Sequence, residues 1–394
     1  MKPREIKPGI YWVGAVDWDR RLFDALIPLP DGTSYNSYLI QGSEKTALID
    51  TVDAAMPDVL LNNLKQLGVD RIDYVVTNHA EQDHSGALPA VLDRYPEAKV
   101  VCTPKCQGML VDLMLAPEER IITVEDRETI SLGSRTLEFI HAPWVHWPET
   151  MVTYLREEKI LFSCDFFGSH LATSDLFVAD EGQLYEAAKR YYAEIMMPFR
   201  TIIQKNLEAV KNYAIDIIAP SHGPLHDRPE FITKAYHSWA FDDPKNIVVL
   251  PYISMHGSTR KMVEHFVGAL VQRGVTVKQF DLADTDVGKL AMALVDAATV
   301  VLGTPTVLVG PHPNVAHAAF LANALRPNIK FVSIIGSYGW GGRAVEQLSA
   351  MIPNLKVEVL EPVICKGFPK ESDFKALDNL ADAIAVKHKA NNYV

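Results

Sequence analysis

His79-Ala80-Glu81-Gln82-Asp83-His84 is the stretch on which the reading of this chain turns. It sets two imidazoles and two carboxylates within six residues, just after the apolar segment Tyr74-Val75-Val76. Such a set on one loop predicts a metal site. Carboxylates favour hard ions such as iron or manganese, and imidazole suits zinc, copper, iron and nickel. The run holds no cysteine, which argues against a thiolate-bound structural zinc.

Further ligands are expected at strand ends, because open sheets gather their sites outside the carboxyl ends of strands. His146 lies in His141-Ala142-Pro143-Trp144-Val145-His146-Trp147-Pro148-Glu149. Asp165 follows the apolar run Lys159–Cys164, and His222 sits in Pro220-Ser221-His222-Gly223 after Ile215–Ala219. His79, Glu81, Asp83, His146, Asp165 and His222 are more than one catalytic ion needs, since such sites keep positions open. Six suit two ions that share a carboxylate. Asp165, alone between two distant histidines, is the expected bridge, although an aspartate after a strand also serves as a helix N-cap. His84 is left open, as a ligand or as an outer hydrogen-bonding group. His141, His170 and His226 are spare. His226 rivals His222, but the glycine after His222 suits a tight loop around an ion. Trp147 is either the wall of a gas pocket or ordinary core.

The chain has 394 residues, a length for which two domains are expected. A net charge of −11 argues against nucleic acid, whose phosphates need a basic face. Cys102, Cys106, Cys164 and Cys365 form no CxxC pair, which suits a reduced, cytoplasmic setting. The N-terminus shows no secretory signal, and no apolar run approaches a membrane span.

Residues 1–245 open with short strand-like runs (9–13, 37–40, 46–50) around the polar turn Gly42–Lys45, an antiparallel start to a sheet. An amphipathic helix at 56–67, a strand at 72–77, a helix at 88–95 and a strand at 99–102 follow. The polar stretch Phe241–Asn246, with its proline, reads as a domain junction. Residues 246–394 then start afresh with Ile247–Tyr252, an apolar run suited to a central parallel strand. Later strands are expected at 299–303, 329–335 and 355–363.

After Ile247–Tyr252 comes Ser254-Met255-His256-Gly257-Ser258-Thr259, with a helix from about Lys261 to Arg273. Hydroxyls and backbone amides at a helix start make a phosphate cradle. The pattern is neither GxxxxGK[ST] nor GxGxxG, so a monophosphate fits better than a triphosphate or a dinucleotide. Thr304-Pro305-Thr306-Val307 and Ser337-Tyr338-Gly339-Trp340-Gly341 follow the next two parallel strands. Aromatics on such loops can sandwich a flat ring, so these three loops are the expected flavin site.

With these motifs in hand, the first half resembles the metallo-β-lactamase fold, an αββα sandwich, with Glu81 replacing the second histidine of HxHxDH. The second half resembles flavodoxin, a doubly wound parallel sheet. Together they resemble the flavodiiron proteins, or A-type flavoproteins. That resemblance implies two iron ions on His79, Glu81, Asp83, His146, Asp165 and His222, and FMN on the three loops. It implies reduction of dioxygen to water, of nitric oxide to nitrous oxide, or both. It also implies a head-to-tail homodimer, or a dimer of dimers. The family often carries an aromatic a few residues past Ser-His-Gly, where this chain has Pro224-Leu225-His226. No CxxC pairs follow the flavin half, so electrons are expected from a separate donor: rubredoxin, or a reduced deazaflavin or nicotinamide system. Two other readings remain open. A di-zinc hydrolase on the same fold would lose a neutral ligand to Glu81 and leave the flavin half idle. A plain FMN electron carrier would leave the ligand set idle.

Overall fold

The computed structural model describes residues 1–393. The chain divides into two compact units, one of 1–192 with 199–240, the other of 193–198 with the chain from Phe241 onward. The division thus falls a few residues before the expected boundary at 245/246. Lys245 is already the first residue of a strand, Lys245–Tyr252, in register with Ala297.

In the first unit two sheets lie face to face. One has seven strands, the other five. The seven-stranded sheet begins antiparallel, with Ile10–Trp12, Tyr38–Gln41 and Thr46–Ile49 as neighbours. It then turns parallel through Tyr74–Val76, Lys99–Cys102 and Ile121–Thr123. Successive side chains of a strand point to opposite faces. Accordingly Leu39, Leu48, Val75 and Val100 enter one core, against Leu60, Leu64, Leu88, Val91 and Leu110 of the covering helices. Ile40, Ile49, Val76 and Val101 enter the other, against Leu137, Phe139, Leu155, Ile160, Phe162 and Ile217 of the second sheet. Strands buried on both faces read as continuous apolar runs, which is how 74–76 and 99–102 appear in the sequence. The expected αββα sandwich is therefore present.

The second unit is a parallel sheet in the order Thr276–Asp281, Lys245–Tyr252, Ala297–Val307, Phe331–Tyr338. Beyond Phe331–Tyr338 the expected strand 355–363 is split into Glu358–Val359 and Val363–Lys366. Pro362 between them has no N–H to offer the ladder. The helices Ser258–Gln272 and Glu371–Ala390 bury Met262, Phe266, Leu270, Leu377 and Ile384 on one face. This strand order is the doubly wound flavodoxin arrangement, whose switch point lies between the first and third strands. Among the described residues, no helix is long and apolar enough to cross a membrane.

Candidate metal centre and flavin cleft

Tyr74–Val76 runs out of the seven-stranded sheet into Thr77 and Asn78, both buried. Asp50, at the end of the neighbouring strand, accepts the Asn78 backbone N–H at 2.8 Å and its side-chain N–H at 2.9 Å. Thr153 donates to Asn78 Oδ1 at 2.7 Å. Burial lifts the Asp50 carboxyl to about 6, against the opposing pull of His84 and of the Asn78 hydrogen bonds. The chain leading into His79 is thereby held at both ends of one amide. A single helical turn, Gln82–Ser85, follows. The Ser85 hydroxyl donates back to Ala80 O and Glu81 O, and Thr51 donates to His84 O.

The remaining side chains come from the five-stranded sheet. His146 lies in the loop after Thr136–His141, Asp165 directly follows Ile160–Cys164, and His222 follows Ile217–Pro220. They meet the first loop in two sets. His79, Glu81, His146 and Asp165 bring ligand atoms within 4.8 Å of one another, as do Asp83, His84 and His222. Glu81 Oε2 lies 3.0 Å from His79 Nε2 and 3.1 Å from His146 Nε2. Asp165 Oδ2 faces that set, 3.5 Å from His79 Nε2 and 3.4 Å from His146 Nε2. Its other oxygen, Oδ1, faces the second set, 3.1 Å from His84 Nε2 and 3.4 Å from His222 Nε2. Asp83 lies 3.2 Å from His84 Nε2 and 3.1 Å from His222 Nε2.

Both oxygens of Asp83, both of Asp165, and His84 Nε2 are buried with no hydrogen-bond partner. Atoms so close yet not hydrogen bonded are aimed at shared points rather than at each other. Buried carboxylates without partners are costly unless cations hold them, so the donor set fits two hard cations. In the metal-free chain protons take up part of that role. Burial opposes charging of His222 and His146, but the carboxylates packed against their Nε2 atoms outweigh it and lift them to about 10 and about 9. Burial likewise opposes charging of Asp165, yet the surrounding histidines hold it well below the usual carboxylate range. Cys164 also lies near His84 and Asp165. Burial pushes its thiol well above the usual range, which keeps it protonated and a poor ligand.

His84 therefore stands with its ligand nitrogen inside the cluster. His226 does not: its Nε2 bonds Phe167 O at 3.1 Å, and burial drops it to about 4. His141 bonds Val124 O, and His170 pairs with the Thr33 hydroxyl. Trp147 sits edge-on to the rings of His79 and His146, with centroids 5.0 and 6.2 Å away. Gly223, with φ +81°, is obligatory: a Cβ there would lie 2.1 Å from Ser169 Oγ. Asp50 and Asn78 belong to no ligand motif, although Asp50 directly follows a strand just as Asp165 does. Nor does Glu149, whose Oε1 lies 2.6 Å from His79 Nδ1.

In the second unit a cleft of about 220 Å³ opens at the carboxyl ends of the strands. Ser254, Met255, His256, Ser258, Thr259, Pro305, Thr306, Ser337, Tyr338 and Gly339 line it, together with Gly367, which lies outside the three expected loops. Gly257 enters the helix Ser258–Gln272 at φ +89°, a left-handed conformation glycine adopts readily, and offers no capping side chain; Ser254 Oγ accepts the Arg260 N–H at 3.1 Å, and no side chain is seen to accept the Ser258 and Thr259 amides among the described residues. That leaves amide donors for a phosphate, so the cleft fits FMN. Thr304 is buried, donating to Pro305 O and accepting from His312 N, so it shapes the loop. Gly257, Val307, Trp340 and Gly341 lie outside the lining, with Trp340 81% exposed.

Residues 33–223 match the family described as ODP family beta lactamase, and residues 250–377 match flavodoxin. The chain is 38% identical to a nitric oxide reductase of Moorella thermoacetica, covering 98% of this chain and 99% of that one. Its fold is similar to that of the rubredoxin oxygen:oxidoreductase of Desulfovibrio gigas, with a TM-score of 0.95, 32% identity and 99% of each chain covered. It is also similar to the flavodiiron protein of Giardia intestinalis, with a TM-score of 0.92, 30% identity, and 99% and 97% of the two chains covered. A β-lactamase-like metal domain joined to a flavodoxin domain defines a class of oxidoreductase. Within that class the chain belongs to the flavodiiron proteins.

Proposed function

We propose that this chain reduces dioxygen to water, nitric oxide to nitrous oxide, or both, with iron held by His79, Glu81, Asp83, His84, His146, Asp165 and His222. The observation that supports it is Asp165, whose two oxygens face two separate sets of ligand atoms. Two ferrous ions and a reduced flavin would supply four electrons, which is the demand of one dioxygen taken fully to water. The chain's own part is positional. Asp165 spaces the two sets, while Asp50 and Asn78 stiffen the loop that carries four of the seven ligands. The buried His79, Asp83 and His222 keep bulk water from the ligand atoms.

FMN is assigned to the cleft at Ser254–Thr259, Pro305–Thr306 and Ser337–Gly339. A separate carrier, rubredoxin or a reduced deazaflavin or nicotinamide system, is the proposed donor, and a homodimer or dimer of dimers the proposed assembly. The cytoplasm is the proposed compartment, since all four cysteines are free and buried. Rapid mixing of reduced, iron-loaded protein with each gas, followed by flavin absorbance, tests the reading. Flavin oxidation within the turnover time by at least one gas is expected. Zinc without iron in the purified protein, or inertness to both gases, would overturn it.

A further inference from the structure

The two ligand sets are chemically equal. Each has two histidines, one carboxylate of its own, and one oxygen of Asp165. Any difference between the two ions must come from what the ligands touch on their outer side. His222 Nδ1 bonds a neutral group, the backbone carbonyl of Ser34, at 2.6 Å. His79 Nδ1 instead bonds Oε1 of Glu149, also at 2.6 Å. Among the described residues, no carboxylate bonds the outer nitrogen of His84, His146 or His222.

Glu149 is built into this position. It is 1% exposed, and its Oε1 also accepts the backbone N–H of Ala80 at 3.1 Å. Its own carbonyl accepts the hydroxyl of Thr103 at 2.8 Å. Oε2 has no hydrogen-bond partner, so among the described residues His79 is the one side chain that bonds this carboxylate. A carboxylate on the far nitrogen of a ligating imidazole fixes the ring and raises its basicity.

We propose that Glu149 is a positioning residue that makes the two iron sites unequal, so that the site of His79, Glu81 and His146 holds its ion more tightly and is the first to be oxidised. This rests on the two-ion reading above, and the test separates the two. Wild type and E149Q are loaded with iron, and separately with redox-silent zinc, and metal release to a chelator is followed over time. Wild type should lose its two ions in two phases. In E149Q the slow phase should quicken roughly 10–100-fold, the usual loss when an outer partner of a ligand is removed. The fast phase should hold and FMN should stay bound. Stepwise oxidation of the iron form, followed by electron paramagnetic resonance, should show a narrower window for the mixed-valence state in E149Q.

The glutamine keeps shape and hydrogen bonding. T103V removes the Thr103 tie without touching the carboxylate, and it should leave the two phases apart. A wild type that binds fewer than two ions would sink the two-ion reading. Two ions that leave at one rate in wild type, or equal acceleration of both in E149Q, or none, would overturn the assignment of Glu149 alone.

Discussion

Six side chains converge on Asp165 from three separated stretches of sequence and are nearly all enclosed, whereas the flavin cleft is lined by hydroxyl, apolar and aromatic side chains and glycines of the loops at the strand ends. The first arrangement concentrates its chemistry in a few irreplaceable atoms. The second spreads recognition over many weak donors. Substitutions should therefore act all-or-none in one unit and by degrees in the other.

The largest effect is expected from Asp165→Ala, which removes the group shared by both sets. Iron content should fall toward zero and gas reduction by roughly 100-fold or more, given that outer partners alone account for 10–100-fold. FMN absorbance should be unchanged, and loss of flavin alongside iron would break the contrast between the units. Acidity comes next. Two histidines lifted to about 9 and about 10 must give up protons when cations enter. Iron affinity should rise by roughly tenfold per pH unit for each proton displaced, which a competition titration from pH 6 to 8 would read. Their raised values also stabilise the metal-free chain below the ordinary imidazole range. That contribution is lost progressively as pH climbs from the ordinary imidazole range and is gone above about 9 to 10, so melting of the apoprotein should fall across that interval.

His84→Ala and His226→Ala then form a matched pair. The first should cost about one equivalent of iron, with little loss of stability in the apoprotein. The second should keep both equivalents yet cost about 1–3 kcal/mol, because Phe167 O loses its partner. Reversed outcomes would exchange the two roles. The smallest effect is expected in the cleft, where Tyr338→Ala should weaken FMN binding more than Trp340→Ala, as measured by flavin fluorescence. Tyr338 lines the cleft and Trp340 does not.

Local chemistry is what a sequence displays best. His79, Glu81, Asp83 and His84 are conspicuous because four ligand types crowd one short loop. Asp165 and His222 stand out because each follows an apolar strand. The helpers are less visible. Asp50 meets Asn78, and Glu149 meets His79, across long sequence separations with ordinary residue types. Asp50 directly follows an apolar strand, as Asp165 does, but nothing in Glu149 alone marks it as a partner of the site. The choice between His222 and His226 turned on which ring the chain aims inward, and the backbone pairing of His226 with Ile218 helps turn its ring away. Trp340 shows the converse: an aromatic on a glycine-rich loop advertises stacking, yet that loop leaves it exposed.

The ligands of the metal centre are drawn from the ends of both sheets of the sandwich. Ions bound there act as rivets between two layers that otherwise rely on oily packing. Because a cation grips the folded form alone, a free ion concentration a thousandfold above the dissociation constant adds about 4.1 kcal/mol to stability per site. A cell short of iron would then hold a slacker, more readily digested copy of this chain, and supply of the nutrient would govern how long the protein lasts.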